Sequence, residues 1–126
     1  TGSDGVIMGG SGGHNDAAAG AKLTIVVANL TRGRLPIIVD KVLTATTPGD
    51  TIDVLVTERG IAVNPRRQDL KEMLATAGMA VKDIFELKAV AEKMAGIPKA
   101  IITGERIVAL VEYRDGTVMD VVRQVK

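Results

Sequence analysis

The densest group of chemistry-bearing residues in this 126-residue sequence is the run Met8-Gly9-Gly10-Ser11-Gly12-Gly13-His14-Asn15-Asp16. Clustered glycines let a backbone adopt positive φ and approach a ligand closely. Their successive free N–H groups form a concave anion site, strengthened when a helix begins just after them. A phosphate, a carboxylate or a transition-state oxyanion would each fit such a cradle. A tight structural turn is the other reading, and glycine clusters alone leave both open. Two phosphate patterns fail: a Walker-type loop needs Lys-Ser/Thr after its last glycine, where His14-Asn15 stand, and the dinucleotide pattern begun at Gly10 places its final position on Asn15.

His14 is the sole histidine. It could donate to a substrate carboxylate or shuttle a proton, or be an ordinary polar loop residue. Asp16 reads as the N-cap of a helical turn over 17–21. Arg32 and Arg34 flank Gly33, a spacing able to clamp a polyanion or a phosphopantetheine-like arm, although exposed loop arginines are commonly just solvated. Glu58 reads as a carboxylate at a strand end, with a structural ion pair as its plainest role, and Arg66 and Arg67 as solvated residues in the first turn of a helix. One histidine supports no Ser/His/Asp set, and no His-carboxylate cluster suggests a transition-metal site. Catalysis by this stretch would rest on positioning and on backbone stabilisation of an oxyanion.

Composition narrows the classes further. Sixteen Lys and Arg against 15 Asp and Glu leave a net charge of +1, which gives no field to recruit nucleic acid or an anionic membrane. Aromatics at 2% remove the stacking platform of single-strand binders. The absence of cysteine excludes disulfides, thiolate metal sites and a Cys nucleophile. Apolar runs such as Leu23 to Ala28 are too short to span a bilayer, so a soluble cytoplasmic protein without membrane or nucleic-acid partners is expected. The sequence opens at Thr1 in a glycine-rich stretch, which reads as a piece of a longer protein.

The elements that must position these residues follow from pattern. Val6 to Met8 reads as a short strand leading into the glycine turn. Leu23 to Ala28, Leu35 to Val39 and Ile52 to Thr57 are β-prone runs of the kind covered on both faces, and Ile61 to Val63 follows the break at Arg59-Gly60. Asn64 as N-cap and Pro65 as first helical residue predict a helix with Leu70, Met73, Leu74 and Ala77 on one face, ended by Gly78. Asp83 with Glu86 predicts a second helix carrying Ile84, Leu87, Ala91 and Met94 and closed by Gly96. Arg114-Asp115-Gly116 between Ile107–Tyr113 and Thr117–Val125 predicts a hairpin. The fold class is therefore α/β: an open mixed β-sheet with flanking helices and a C-terminal β-hairpin. Two long helices do not cover both faces of such a sheet, so further cover is expected from another domain or chain.

The run Gly9-Gly10-Ser11-Gly12-Gly13-His14-Asn15-Asp16-Ala17-Ala18-Ala19-Gly20-Ala21-Lys22-Leu23-Thr24-Ile25 resembles a stretch of the citrate lyase alpha subunits, which are citrate CoA-transferases. Arg32-Gly33-Arg34-Leu35-Pro36, Thr47-Pro48-Gly49, the block from Asp53 to Pro65 and the ending from Tyr113 to Val125 resemble the same family in the same order. The resemblance implies a CoA-transferase-like domain, with residues 1–126 forming the C-terminal part of the second of two such domains. It implies exchange of acetate for citrate on an acyl carrier thioester, whose dephospho-CoA-derived prosthetic group is substrate, and no tightly bound cofactor or metal. Expected partners are the beta subunit, the acyl carrier (gamma) subunit and further alpha subunits. By resemblance to the wider CoA-transferases, Gly12 and Gly13 would hold the thioester oxygen, with His14 beside them. Gly9, Gly10, Ser11, Asn15, Arg32 and Arg34 are the candidate substrate contacts. The wider family's glutamate nucleophile has no counterpart in residues 1–126, so the chain alone is expected to be inactive. A structural or subunit-contact module, and a CoA-transferase for another acid, are the alternatives.

Overall fold

A computed structural model describes Val6, Ile7, Gly9 and residues 12–126. Met8, Gly10 and Ser11, and with them part of the expected strand and glycine turn, lie outside the described residues. Among the described residues three α-helices and seven strands follow in the order α1 (Gly12–Gly20), β1 (Ile25–Val27), β2 (Thr31–Arg32), β3 (Leu35–Pro36), β4 (Val54–Thr57), β5 (Gly60–Val63), α2 (Gln68–Thr76), α3 (Ile84–Ala95), β6 (Thr103–Glu112) and β7 (Val118–Val125), with a 3-10 turn at Gly49–Thr51. This is a mixed α/β fold with the expected flanking helices and C-terminal hairpin.

The central sheet has the order β1-β4-β5, with β1 parallel and β5 antiparallel to β4. Glu58-Arg59 turns β4 into β5, and Thr57 pairs with Gly60 across the turn. Gly60 has φ 147°, and a Cβ there would lie 3.1 Å from the Ala80 carbonyl oxygen, so only glycine suits this close approach. The neighbouring segment is laced on as Ile61 N–H donates to Ala80 O at 2.9 Å and Lys82 N–H to Ile61 O at 2.8 Å.

Instead of one sheet, the strands form three small ones: β2 and β3 pair only with each other, as do β6 and β7. The expected strand from Leu35 to Val39 is paired only over Leu35–Pro36, because the chain then turns inward to bury Ile38. The core joins Leu30 and Ile38 to Ala62 of β5 and to Leu87 and Ala91, one turn apart on α3. α3 begins as the sequence predicts, with Asp83 accepting from Phe85 N–H at 2.7 Å, and ends at Gly96 with φ 84°. The hairpin is fastened to the body where Asp120 accepts from Ala45 N–H at 2.7 Å and the Thr44 hydroxyl donates to Val121 O.

α2 starts later than Asn64-Pro65 implies. The Asn64 amide donates to Gly49 O at 3.1 Å and to Ile52 O at 2.9 Å, while its Oδ1 accepts from Arg66 N–H. It clamps the turn after β5, and the helix begins at Gln68. Among the described residues no helix is long and apolar enough to cross a membrane.

Candidate functional site

α1 begins inside the glycine run. Gly12 and Gly13 form its first turn, so their N–H groups belong to the unpaired donors at a helix start and not to a free loop. Asp16 lies inside the helix and is not its cap. Neither glycine has positive φ, and a Cβ on either would meet no described atom within 4 Å. Nothing described in this chain requires glycine there, whereas close approach of a molecule outside it would.

His14 is exposed, and its Nδ1 shares a 2.8 Å hydrogen bond with the Thr47 hydroxyl. That bond fixes the imidazole against the Thr47-Pro48-Gly49 turn. Asn15 is only 4% exposed, yet no described residue hydrogen-bonds its side-chain amide. A buried amide left without a partner costs about 1–3 kcal/mol. Ala17, Ala18 and Ala21 with His14 face the stretch from Leu23 to Val27 across a groove of about 420 Å³.

Arg32 and Arg34 are exposed on the β2–β3 hairpin. Arg32 stands on the rim of a larger cavity, about 800 Å³, between the segment from Leu35 to Thr44 and β7. Of these two cavities, the larger is lined by Arg32 and the smaller by His14, and Arg34 lines neither. Gly10 and Ser11 fall outside the described residues, and Gly9 is exposed.

Two charged residues behave differently from their sequence reading. Glu58 makes no ion pair among the described residues; both its oxygens accept from Leu30 N–H, at 2.9 and 3.2 Å. Arg67 is not simply solvated, since its Nη1 donates to buried Asp53 at 2.8 Å while Nε and Nη2 grip Asp69 at 3.0 Å. Asp53 was missed altogether. The one available signal was a carboxylate heading an apolar β-run, a position that demands a partner. Thr24 N–H donates to its other oxygen at 2.8 Å. This bond first, with Arg67 reinforcing it against the cost of burial, holds the Asp53 carboxyl below the ordinary aspartate value. Among the described residues no group of three or more His, Asp or Glu is placed to hold a metal ion.

The family model for citrate lyase, alpha subunit, matches residues 1–125. The chain belongs to the citrate lyase alpha-subunit family. It is 58% identical to a citrate lyase alpha chain of Klebsiella pneumoniae and 54% identical to one of Escherichia coli, in each case over 100% of this chain and 25% of the relative. A crystal structure described as the alpha subunit of citrate lyase from Streptococcus mutans, in complex with citrate, superposes with a TM-score of 0.93 at 53% identity. It covers 100% of this chain, which spans 25% of that one. The chain thus spans about a quarter of the length of the citrate lyase alpha chains it matches.

Proposed function

We propose that the subunit of which this chain forms part exchanges acetate for citrate on the thioester of an acyl carrier protein. The acetyl C–S bond breaks, a C–S bond to a citrate carboxyl forms, and one carboxylate oxygen passes from citrate to the departing acetate. The observation that supports this most is the match along the whole chain to citrate lyase alpha subunits, one of them with citrate bound.

In this reading the N–H groups of Gly12 and Gly13, at the positive end of α1, stabilise the oxyanion that develops on the thioester carbonyl. Gly9, Gly10 and Ser11 are further contacts to substrate. His14, steadied by Thr47, and the buried Asn15 amide supply polar contacts to substrate. Arg32 and Arg34 contact citrate carboxylates or the phosphate of the carrier's dephospho-CoA-derived group. The nucleophile lies in another part of the subunit. The chain is the end of the second CoA-transferase-like domain of a cytoplasmic complex with the beta and acyl carrier subunits, and alpha subunits associate with one another.

Incubating the full-length subunit with acetyl-carrier and labelled citrate tests the reading. Label should appear on the carrier as acetate is released. Acetate release without transfer of label to the carrier would contradict it.

A further inference from the structure

His14 has two ring nitrogens, and the structure commits one of them. Nδ1 shares the 2.8 Å hydrogen bond with the Thr47 hydroxyl, while Nε2 has no hydrogen-bond partner among the described residues. The Thr47 hydroxyl likewise makes no second hydrogen bond among the described residues. His14 stands in the first turn of α1 with Gly12 and Gly13, so a group held by Nε2 stays near the helix start.

The turn that presents Thr47 is braced from elsewhere in the fold. Thr51 donates to Pro48 O twice, from its N–H at 3.1 Å and from its hydroxyl at 2.7 Å. The Asn64 amide, from the far side of β4 and β5, holds Gly49 O at 3.1 Å and Ile52 O at 2.9 Å. Pro48 adds a ring-restricted φ of −60°. α1 lies against the same turn. Thr47 therefore reaches His14 from a fixed support.

A hydrogen bond between two groups at the surface contributes little to stability, because water competes for both of them. Its larger effect is on the imidazole. The bond made by one ring nitrogen decides where the proton sits and leaves the other nitrogen for a ligand. The acids exchanged in the proposed reaction are carboxylates, which only accept hydrogen bonds. A neutral imidazole meets a carboxylate through Nε2–H, which makes Nδ1 the acceptor and the Thr47 hydroxyl its donor. We infer that Thr47 is a positioning residue: its hydroxyl donates to His14 Nδ1 and fixes the ring so that Nε2–H serves a carboxylate of the acid substrate. The inference rests on the proposed reaction and on His14 as a substrate contact.

A double-mutant cycle on the full-length subunit tests this, read as kcat/KM for citrate in acetate release from acetyl-carrier. Thr47→Val, which removes the hydroxyl and keeps the shape, should lower that value by about tenfold with Tm unchanged. Thr47→Ser, which keeps the hydroxyl, should retain most of the activity. In a His14→Ala background Thr47→Val should cause no further loss. An equal loss with and without His14 overturns the inference, because Thr47 then acts on the fold and not through the imidazole. A Thr47→Val subunit at the wild-type value beside an impaired His14→Ala also overturns it, while leaving His14 as a substrate contact. Normal activity of His14→Ala removes that contact and the inference with it. Wild type without citrate-dependent release contradicts the proposed reaction itself, and the inference falls too. Thr47→Ala in the same cycle decides the matter if the valine variant does not fold.

Discussion

Arg67 Nη1 lies 2.8 Å from Asp53 Oδ1, and this pair joins the entry to β4 to the start of α2 across 14 residues of sequence. Asp53 is 5% exposed and its second oxygen is held by Thr24 N–H, so one carboxylate ties together β1, β4 and α2. Asp53→Asn keeps the acceptor for Thr24 but removes the charge facing Arg67. A loss of about 1–3 kcal/mol is expected, read as a lower Tm of the subunit near neutral pH.

The same residue predicts an acid limb. Its folded pKa lies below the ordinary value of 3.8, so the unfolded chain binds more protons between the two values. The stability Asp53 contributes is complete above about 3.8 and is lost as pH falls through the folded pKa. The gap in Tm between wild type and Asp53→Asn should therefore narrow below about pH 4. Asp120, also lowered, chiefly by Ala45 N–H, keeps its own acid dependence in both proteins. A gap that stays constant down to strong acid would exclude the linkage.

Glu58 anchors the core by a backbone contact. Its oxygens accept from the N–H of Leu30, a fully buried residue. Glu58→Ala should leave that N–H without its acceptor and cost about 1–3 kcal/mol. Glu58→Gln, which keeps one oxygen, should cost less. Thermal melts of the two variants side by side check the order.

Gly60→Ala meets a different obstacle. The added methyl would sit 3.0 Å from Lys82 Cδ and 3.1 Å from Ala80 O on a residue at φ 147°. The lysine can move; the carbonyl is fixed by its bond from Ile61. A loss of about 1–3 kcal/mol is expected, measured as a fall in the denaturant midpoint.

The parts of this fold that the sequence made legible are those with local signals. Asp83 and Gly96 bound α3 because a cap and a left-handed glycine need only their neighbours. The closing hairpin is carried by Asp115-Gly116 in the same way, with Gly116 at φ 84°. Long-range partners hid the rest. α1 extends back over Gly12 and Gly13, poor helix formers, while burial of Asn15 and Ala18 anchors the helix beyond them; tertiary packing overrides propensity there. Asn64 looked like a helix cap but spends its amide on Gly49 and Ile52, which no window around it contains. The glycine run was visible as a candidate ligand loop or a tight turn, whereas the His14–Thr47 bond emerges only when segments 33 residues apart meet.

The central claim is that the start of α1 stabilises the thioester oxygen, and Gly12→Val in the full-length subunit tests it most directly. A Cβ at this position meets no described atom within 4 Å, so the fold should tolerate the branch. The variant should keep its Tm while citrate-dependent acetate release from acetyl-carrier falls by about 10²–10³ in kcat. A Gly12→Val subunit that melts like wild type and releases acetate at the normal rate would contradict the account.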